Sequence, residues 1–244
     1  KNGYPSSTRD YLAKTIHKHP KLKKTCNLSW LFFYDAIITA NTDTNISYLS
    51  FNEVRQIGES FNLDEAEVKE ALKFYHEGGH IFYFDEPTLS HIIFTQPQQL
   101  IGVFRTLITA LGLKKQLISK DLKRLEEEGK LHPAVLAAIW KEYPKELHQQ
   151  FRVLLQKFEL AFPDPIQVQQ GCHECDLVIP SLVKASQAKI IKEFKGAPIQ
   201  IVCGIDTVPP LGFTSRLIAK IMNLTNIDGV AYCKIFQGGC AFTR

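Results

Sequence analysis

The sequence lacks the segments that would insert a chain into a membrane or direct its secretion. No apolar run approaches the roughly 20 residues that a membrane-spanning helix requires. The N-terminus has no signal-peptide core. We therefore expect a soluble, cytoplasmic protein. The chain begins at Lys1 without an initiator methionine, which predicts a piece of a longer polypeptide with neighbouring domains.

Cysteine is too sparse and too irregularly spaced to form a disulfide framework. The six cysteines follow no pattern, and a chain of 244 residues can build an apolar core without them. One motif, Cys172-His173-Glu174-Cys175, looks like half of a metal site. A structural zinc normally needs four ligands, and the sequence has no second CxxC or spaced His pair to complete the set. We therefore predict no metal site and interpret the motif as loop thiols.

Motifs for catalysis and nucleotide binding are also missing. The sequence contains no GxxxxGK[ST] phosphate loop, no GxGxxG turn and no GxSxG elbow. His76, His80 and His91 lie close together in sequence but have no partner nucleophile, so we interpret them as polar residues at strand ends. We predict no catalytic residue and no cofactor. An enzyme with an unrecognised site stays open as an alternative.

Charge is nearly balanced, and its excess is local. The net charge is +4, and much of the positive excess lies in five lysines, with two histidines between them, ahead of the first apolar segment. These are Lys14, His17, Lys18, His19, Lys21, Lys23 and Lys24. We interpret the segment as a solvated connecting helix and loop, with a patch for nucleic acid or acidic lipid as the alternative.

Two capped helices follow in the first third of the chain. Ser50 with Glu53, and Asp64 with Glu67, have the spacing of capping boxes. Gly78 is a helix stop. These signals predict two short helices in succession, which is typical of a helix-turn-helix.

A hairpin and a third helix complete the same pattern. Segments 80–84 and 91–94 are rich in β-branched and aromatic residues and flank Asp85-Glu86-Pro87, so they predict two strands and a turn. Pro97 suits the start of a helix that continues to Leu111. Together these elements predict a winged helix-turn-helix. Its second helix carries five acidic residues against two lysines, which duplex phosphates would repel, so we favour a protein partner.

The rest of the chain predicts two further units. Helices beginning at Ser119, Pro133 and Pro144, the third reaching Leu160, are followed by a polar turn region after Pro163-Asp164-Pro165 and then by a strand at 177–179. This order predicts a second winged-helix-like unit. Beyond Pro198 come a strand at 199–205, a helix around 217–222 and a strand at 230–236, which predict the start of a truncated α/β unit.

Five segments along the chain stand out for their motifs and their order. They are NLSWLFF (27–33), FYHEGGHIFYFDEPTLSHIIFTQPQQLIGVFRTLIT (74–109), FELAF (158–162), LVIPSLV (177–183) and VPPLGFTSRLIAKIM (208–222). Taken in order, they resemble the COR domains of Roco proteins. In the second segment, Tyr75-His76 and Gly79 stand at a Leu-His-x-x-Gly-like turn, and 97–100 at a Pro-Gln-Trp-Leu helix start in which Gln99 replaces Trp. The last segment is similar to Pro-x-Gly-Phe-x-x-Arg-Leu through Pro210, Gly212, Phe213, Arg216 and Leu217.

The resemblance implies a mainly helical α+β fold with tandem winged-helix-like units (COR-A) followed by the start of an α/β unit (COR-B). It divides the chain into a linker and leading helix, a first and a second COR-A unit, a connector, and the truncated COR-B. The ranges are 1–29, 30–112, 113–183, 184–197 and 198–244.

The resemblance also implies a non-catalytic module. It would follow a Roc GTPase domain, contact that domain's switch regions and help to form dimers through COR-B. GTP, GDP and Mg²⁺ would bind the missing Roc domain. The alternative function is a winged-helix nucleic-acid binder that uses the basic segment.

Seven residues are our expected partner-binding positions. Pro210, Gly212, Phe213 and Arg216 are placed at a hinge between the first strand and helix of COR-B. For the surface that faces the G domain we expect three aromatic residues. They are Trp30, Phe82 and Tyr83.

Overall fold

The part of the chain that the structure describes is mainly helical, with three small sheets. This confirms the coarse fold class. The structure is a computed structural model that describes residues 10–11, 15, 26–40, 45–108, 119–184, 212–224, 232–236 and 239–243. Within these ranges no helix is both long and apolar enough to cross a membrane.

The first unit (residues 28–108) alternates helices with two short strands. β1 and β2 pair antiparallel, with Leu49 opposite Ile93. The elements are α1 (Leu28–Thr39), β1 (Tyr48–Ser50), α2 (Phe51–Ser60), α3 (Glu65–Glu77), β2 (Ile92–Phe94) and α4 (Pro97–Ile108).

Both capping boxes form, which confirms the start of α2 and of α3. The Asp64 Oδ1 accepts the amide of Glu67 at 2.8 Å, and the Glu67 carboxylate accepts the amide of Asp64 at 3.1 Å. Ser50 and Glu53 exchange the same two bonds. α3 ends before Gly78, and Gly79 has the positive φ of 74° that favours glycine.

The predicted hairpin is only partly correct. Segment 91–94 forms β2, whereas segment 80–84 makes a single bridge in which Phe82 pairs with Phe94. Pairing stops there because the connection forms a turn from 86 to 90, in which the amides of Leu89 and Ser90 donate to the Glu86 carbonyl. The strand that pairs with β2 along its length is β1, which the sequence analysis missed.

The second unit (residues 119–183) confirms three helices and one strand. α7 ends at Lys157 and not at Leu160, because Glu159 adopts a φ of 60° that a helix cannot continue. The strand β4 (Phe162–Pro163), which was not predicted, precedes the predicted polar turn region, and that region contains a short helix capped by Asp164. The elements are α5 (Ser119–Glu128), β3 (Lys130–Leu131), α6 (Pro133–Ile139), a 3-10 turn (Lys145–Leu147), α7 (His148–Lys157), β4 (Phe162–Pro163), α8 (Pro165–Gln169), β5 (Leu177–Val178) and a 3-10 turn (Pro180–Leu182).

The two units share one chain order and one sheet order. Each runs helix, strand, helix, helix and then two extended segments, and in the second unit the short helix α8 lies between those two segments. In each sheet the last segment lies in the middle: β2 lies between β1 and the Phe82 bridge, and β5 lies between β3 and β4.

A continuous apolar core joins the two units. It runs from Phe94 of β2 to the buried Trp140 and Phe151 of the second unit, with the Phe94 and Phe151 ring centroids 6.4 Å apart. The Phe158 ring lies 5.4 Å from that of Phe82 and 5.7 Å from that of Phe104. α7 is therefore packed against the first unit. The first unit has a second core of its own around Phe33.

The C-terminal part of the described chain is a helix and a hairpin. α9 (Phe213–Leu224) and β6 (Tyr232–Phe236) confirm a predicted helix and strand, and β7 (Gly239–Thr243) adds an antiparallel partner. α9 packs on the second unit through Ile218, Ala219 and Met222. The predicted connector after Lys184 and the predicted strand at 199–205 lie outside the described residues.

Substitution by alanine is expected to change the free energy of unfolding in opposite directions at two helical glycines. A Cβ on Gly58 in α2 would lie 2.4 Å from the Val68 Cγ2, whereas one on Gly102 in α4 would have no neighbour within 4 Å. Alanine favours a helix over glycine by about 1 kcal/mol, and overpacking costs about 1–3 kcal/mol. We expect Gly102→Ala to raise the free energy of unfolding in urea and Gly58→Ala to lower it. An equal gain in both variants would contradict the packing of α2 on α3.

Candidate interaction surfaces

The three aromatic residues expected at the G-domain face occupy different environments. Trp30 is half-buried, and its carbonyl accepts the Tyr75 hydroxyl at 2.9 Å. Phe82 is half-buried against the shared core, and Tyr83 is only 2% exposed. Of the three, Trp30 and Phe82 keep accessible surface. Whether either contacts a partner stays a prediction.

α1 presents an apolar stripe that the sequence analysis did not single out. Leu28, Leu31 and Phe32 are 67%, 48% and 52% exposed and lie on one face at helical spacing. The opposite face buries Phe33 and Ile37 in the first unit's own core. This exposed apolar face is a candidate interaction surface.

A second exposed apolar pair lies on α9. Phe213 and Leu217 are 40% and 45% exposed, one helical turn apart. Gly212, just before the helix, has a φ of 81°, and Arg216 is exposed. The expected hinge residues therefore lie at the start of this helix, except for Pro210, which is outside the described residues.

Glu159 ties α9 to the second unit. Its carboxylate accepts bonds from Lys220 at 2.7 Å and from Arg216 at 3.2 Å. The hydrogen bond from Lys220 is the main cause that holds the pKa of Glu159 below its usual value of 4.5. The pairing therefore stabilises the contact fully above pH 4.5 and is lost as the pH falls through the lower folded-state pKa.

Glu159→Gln is expected to loosen α9 without unfolding the chain. The substitution keeps an acceptor oxygen and removes the charge, so the amides of 213–224 should exchange hydrogen several-fold faster. Glu59→Gln, which breaks a surface pair with Arg55, is the matched control and should leave α9 unchanged. Equal exchange of α9 in both variants would mean that the two cations do not hold the helix.

The Cys172–Cys175 motif forms a turn in which one thiol is exposed and one is buried. The Cys175 Sγ donates to the Cys172 carbonyl at 2.9 Å, and burial raises the pKa of the Cys175 thiol to about 11. Across the described ranges, no three His, Cys, Asp or Glu side chains form a group that could hold a metal ion.

A match to a family model identifies the family. The model of the C-terminal of Roc, COR-A domain matches residues 28–183, from the first residue of α1 to the end of the second unit. The chain belongs to this family of Roco proteins, whose COR domain is a non-catalytic module linked to a Roc GTPase domain.

Named relatives agree with this assignment. The chain is 26% identical over 241 residues, 94% of its length, to the probable serine/threonine-protein kinase pats1 of Dictyostelium discoideum. It is 33% identical over 161 residues, 63% of its length, to roco6 of the same organism. Both matches span only 7% of the relative's own length. The kinase activity in those names is therefore a property of the relatives.

A solved structure shares the fold. The Methanosarcina barkeri Roco2 RocCORdC structure bound to GDP is 19% identical, with a TM-score of 0.54, over 72% of this chain and 50% of that one.

Proposed function

We propose that the chain is the module of a Roco protein that contacts the preceding Roc domain and couples its nucleotide state to dimerisation and signalling. The observation that carries the proposal is the stripe of Leu28, Leu31 and Phe32, because this helix is the first element of the family match. A surface that contacts one nucleotide state better than the other shifts the balance between the two states.

We further propose that both units are winged helices. Each has the order helix, strand, helix, helix and two extended segments, with the last segment in the middle of the sheet. In that assignment α3 and α7 are the helices that a nucleic-acid-binding winged helix places in the major groove.

The nucleic-acid alternative, which would use the basic segment 14–24, receives no support from either helix. Apart from residue 15, that segment lies outside the described residues. The exposed surface of α3 carries Asp64, Glu65, Glu70 and Glu77, which would repel phosphates. α7 packs against the first unit, where the His91 ring nitrogen hydrogen-bonds Gln150 and Glu86 pairs with Lys157, so part of its surface is already occupied.

Light scattering after gel filtration tests the proposed function. The chain would be mixed with the Roc domain encoded upstream in its parent protein, in GDP and in a GTP analogue. We expect a complex whose abundance depends on the nucleotide. A Roc domain that never binds, or that binds equally in both nucleotide states, would overturn the coupling. A complex that changes from dimer to monomer with the nucleotide would support the proposed link to dimerisation.

A further inference from the structure

A pocket on the first unit combines aromatic rings with two carboxylates. It has a volume of about 410 Å³ and opens where α2 and α3 begin, beside the loop that precedes β2. The rings of Phe51 and Tyr83 line it nearly parallel, 20° apart in plane and 6.4 Å apart in centroid. Glu65 of α3 and Asp85 of the loop also line it.

A cation already occupies part of this pocket. The Lys69 ammonium donates to the Glu65 Oε1 at 2.7 Å and lies 5.4 Å from the centroid of the Phe51 ring. Aromatic faces attract cations at this range. The lysine side chain is 37% exposed and has a flexible stem, so it can leave when another cation enters.

The acidic side chains stay ionised and accessible. The hydrogen bond from Lys69 lowers the pKa of Glu65, and the one from Lys73 lowers that of Asp85. Their side chains are 55% and 44% exposed. Burial, followed by the charge of Asp85, raises the pKa of Tyr83 to about 12, so the phenol is neutral and donates to Asp85 at 3.5 Å.

We propose that this pocket binds an arginine side chain of a partner protein, in the place that the Lys69 ammonium now holds. A guanidinium is planar, so it stacks on an aromatic face and donates to a carboxylate in the same plane. The pocket supplies both features, the ring of Phe51 and the carboxylate of Glu65. This site is separate from the stripe on α1 and does not depend on the proposed contact with a Roc domain.

An isosteric pair of peptides tests the proposal on the full chain. Acetyl-Gly-Arg-Gly-amide would be titrated while the backbone amide NMR signals are followed, and the same peptide with citrulline is the uncharged control. We expect saturable shifts at Phe51, Glu65 and Asp85 with arginine, and binding weaker by about tenfold with citrulline. Absence of shifts, equal binding of the two peptides, or shifts confined to another surface would overturn the proposal.

Three variants, one of them a double substitution, assign the binding to the pocket. Glu65→Gln with Asp85→Asn should weaken arginine binding about tenfold. Lys69→Met should strengthen it several-fold, because the competing ammonium is gone. Lys141→Met, on the exposed surface of the second unit, removes the same charge elsewhere and should change nothing. Equal strengthening by the two lysine variants would indicate a general charge effect and contradict displacement.

Discussion

Trp140→Ala is expected to destabilise the chain more than any other single substitution considered. Trp140 is fully buried in the core that joins the two units, with its ring 5.3 Å from Phe151 and 5.7 Å from His148. Replacing a buried tryptophan by alanine leaves a cavity and costs about 3–5 kcal/mol. For a chain of this size, that loss lowers the melting temperature by about 6–20 °C, which calorimetry would measure.

Trp140→Phe is the control for this cavity. The Trp140 Nε1 is buried and has no hydrogen-bond partner among the described residues. Phenylalanine keeps most of the ring contacts and removes that unsatisfied donor, which costs about 1–3 kcal/mol to bury. We expect a change below about 1.5 kcal/mol. If phenylalanine were as damaging as alanine, the indole nitrogen would have a role that the described contacts do not account for.

Leu31→Ala with Phe32→Ala is expected to have the largest effect on binding. Apolar anchors at the centre of an interface contribute about 2 kcal/mol each, so loss of both should weaken the complex with the Roc domain by roughly 1,000-fold. Both side chains are about half exposed, so the free energy of unfolding should change by less than about 1 kcal/mol. Calorimetric titration in the binding nucleotide state gives the dissociation constant.

Ile101→Ala tests whether the loss of binding is specific to the stripe on α1 or follows from removing any exposed apolar side chain. Ile101 lies on α4, is 50% exposed and is not part of the stripe. We expect binding by this variant to equal that of the unchanged chain. Equal weakening by Ile101→Ala, or full binding by the double variant, would move the Roc contact away from α1 while leaving the family assignment intact.

The sequence predicted best those elements whose signals are local. The capping boxes at Ser50 and Asp64 place the first helical residue of α2 and α3 because both partners lie within one turn of chain. Strands of two or three residues are too short to show an alternation of polar and apolar residues. β1 was missed for this reason, and because Ser50 is both its last residue and a helix cap.

The candidate surfaces were harder to predict because they depend on long-range packing. α1 is apolar on nearly all sides, so its sequence does not tell which face stays in solvent. The burial of Phe33 and Ile37 decides that Leu28, Leu31 and Phe32 remain outside. The pocket near α3 likewise requires Phe51, Lys69 and Tyr83 to meet, which no spacing in the sequence indicates.

The turn at Phe158 and Glu159 has a mechanical consequence. Phe158 belongs to the core that joins the two units, and its neighbour Glu159 holds α9 by surface ion pairs. Among the described residues, twenty buried side chains form that core, whereas six form the apolar contact of α9. Bending between the two units would open the larger core, so we expect the two units to move as one rigid body. The contact of α9 with the second unit is then the one that opens most easily.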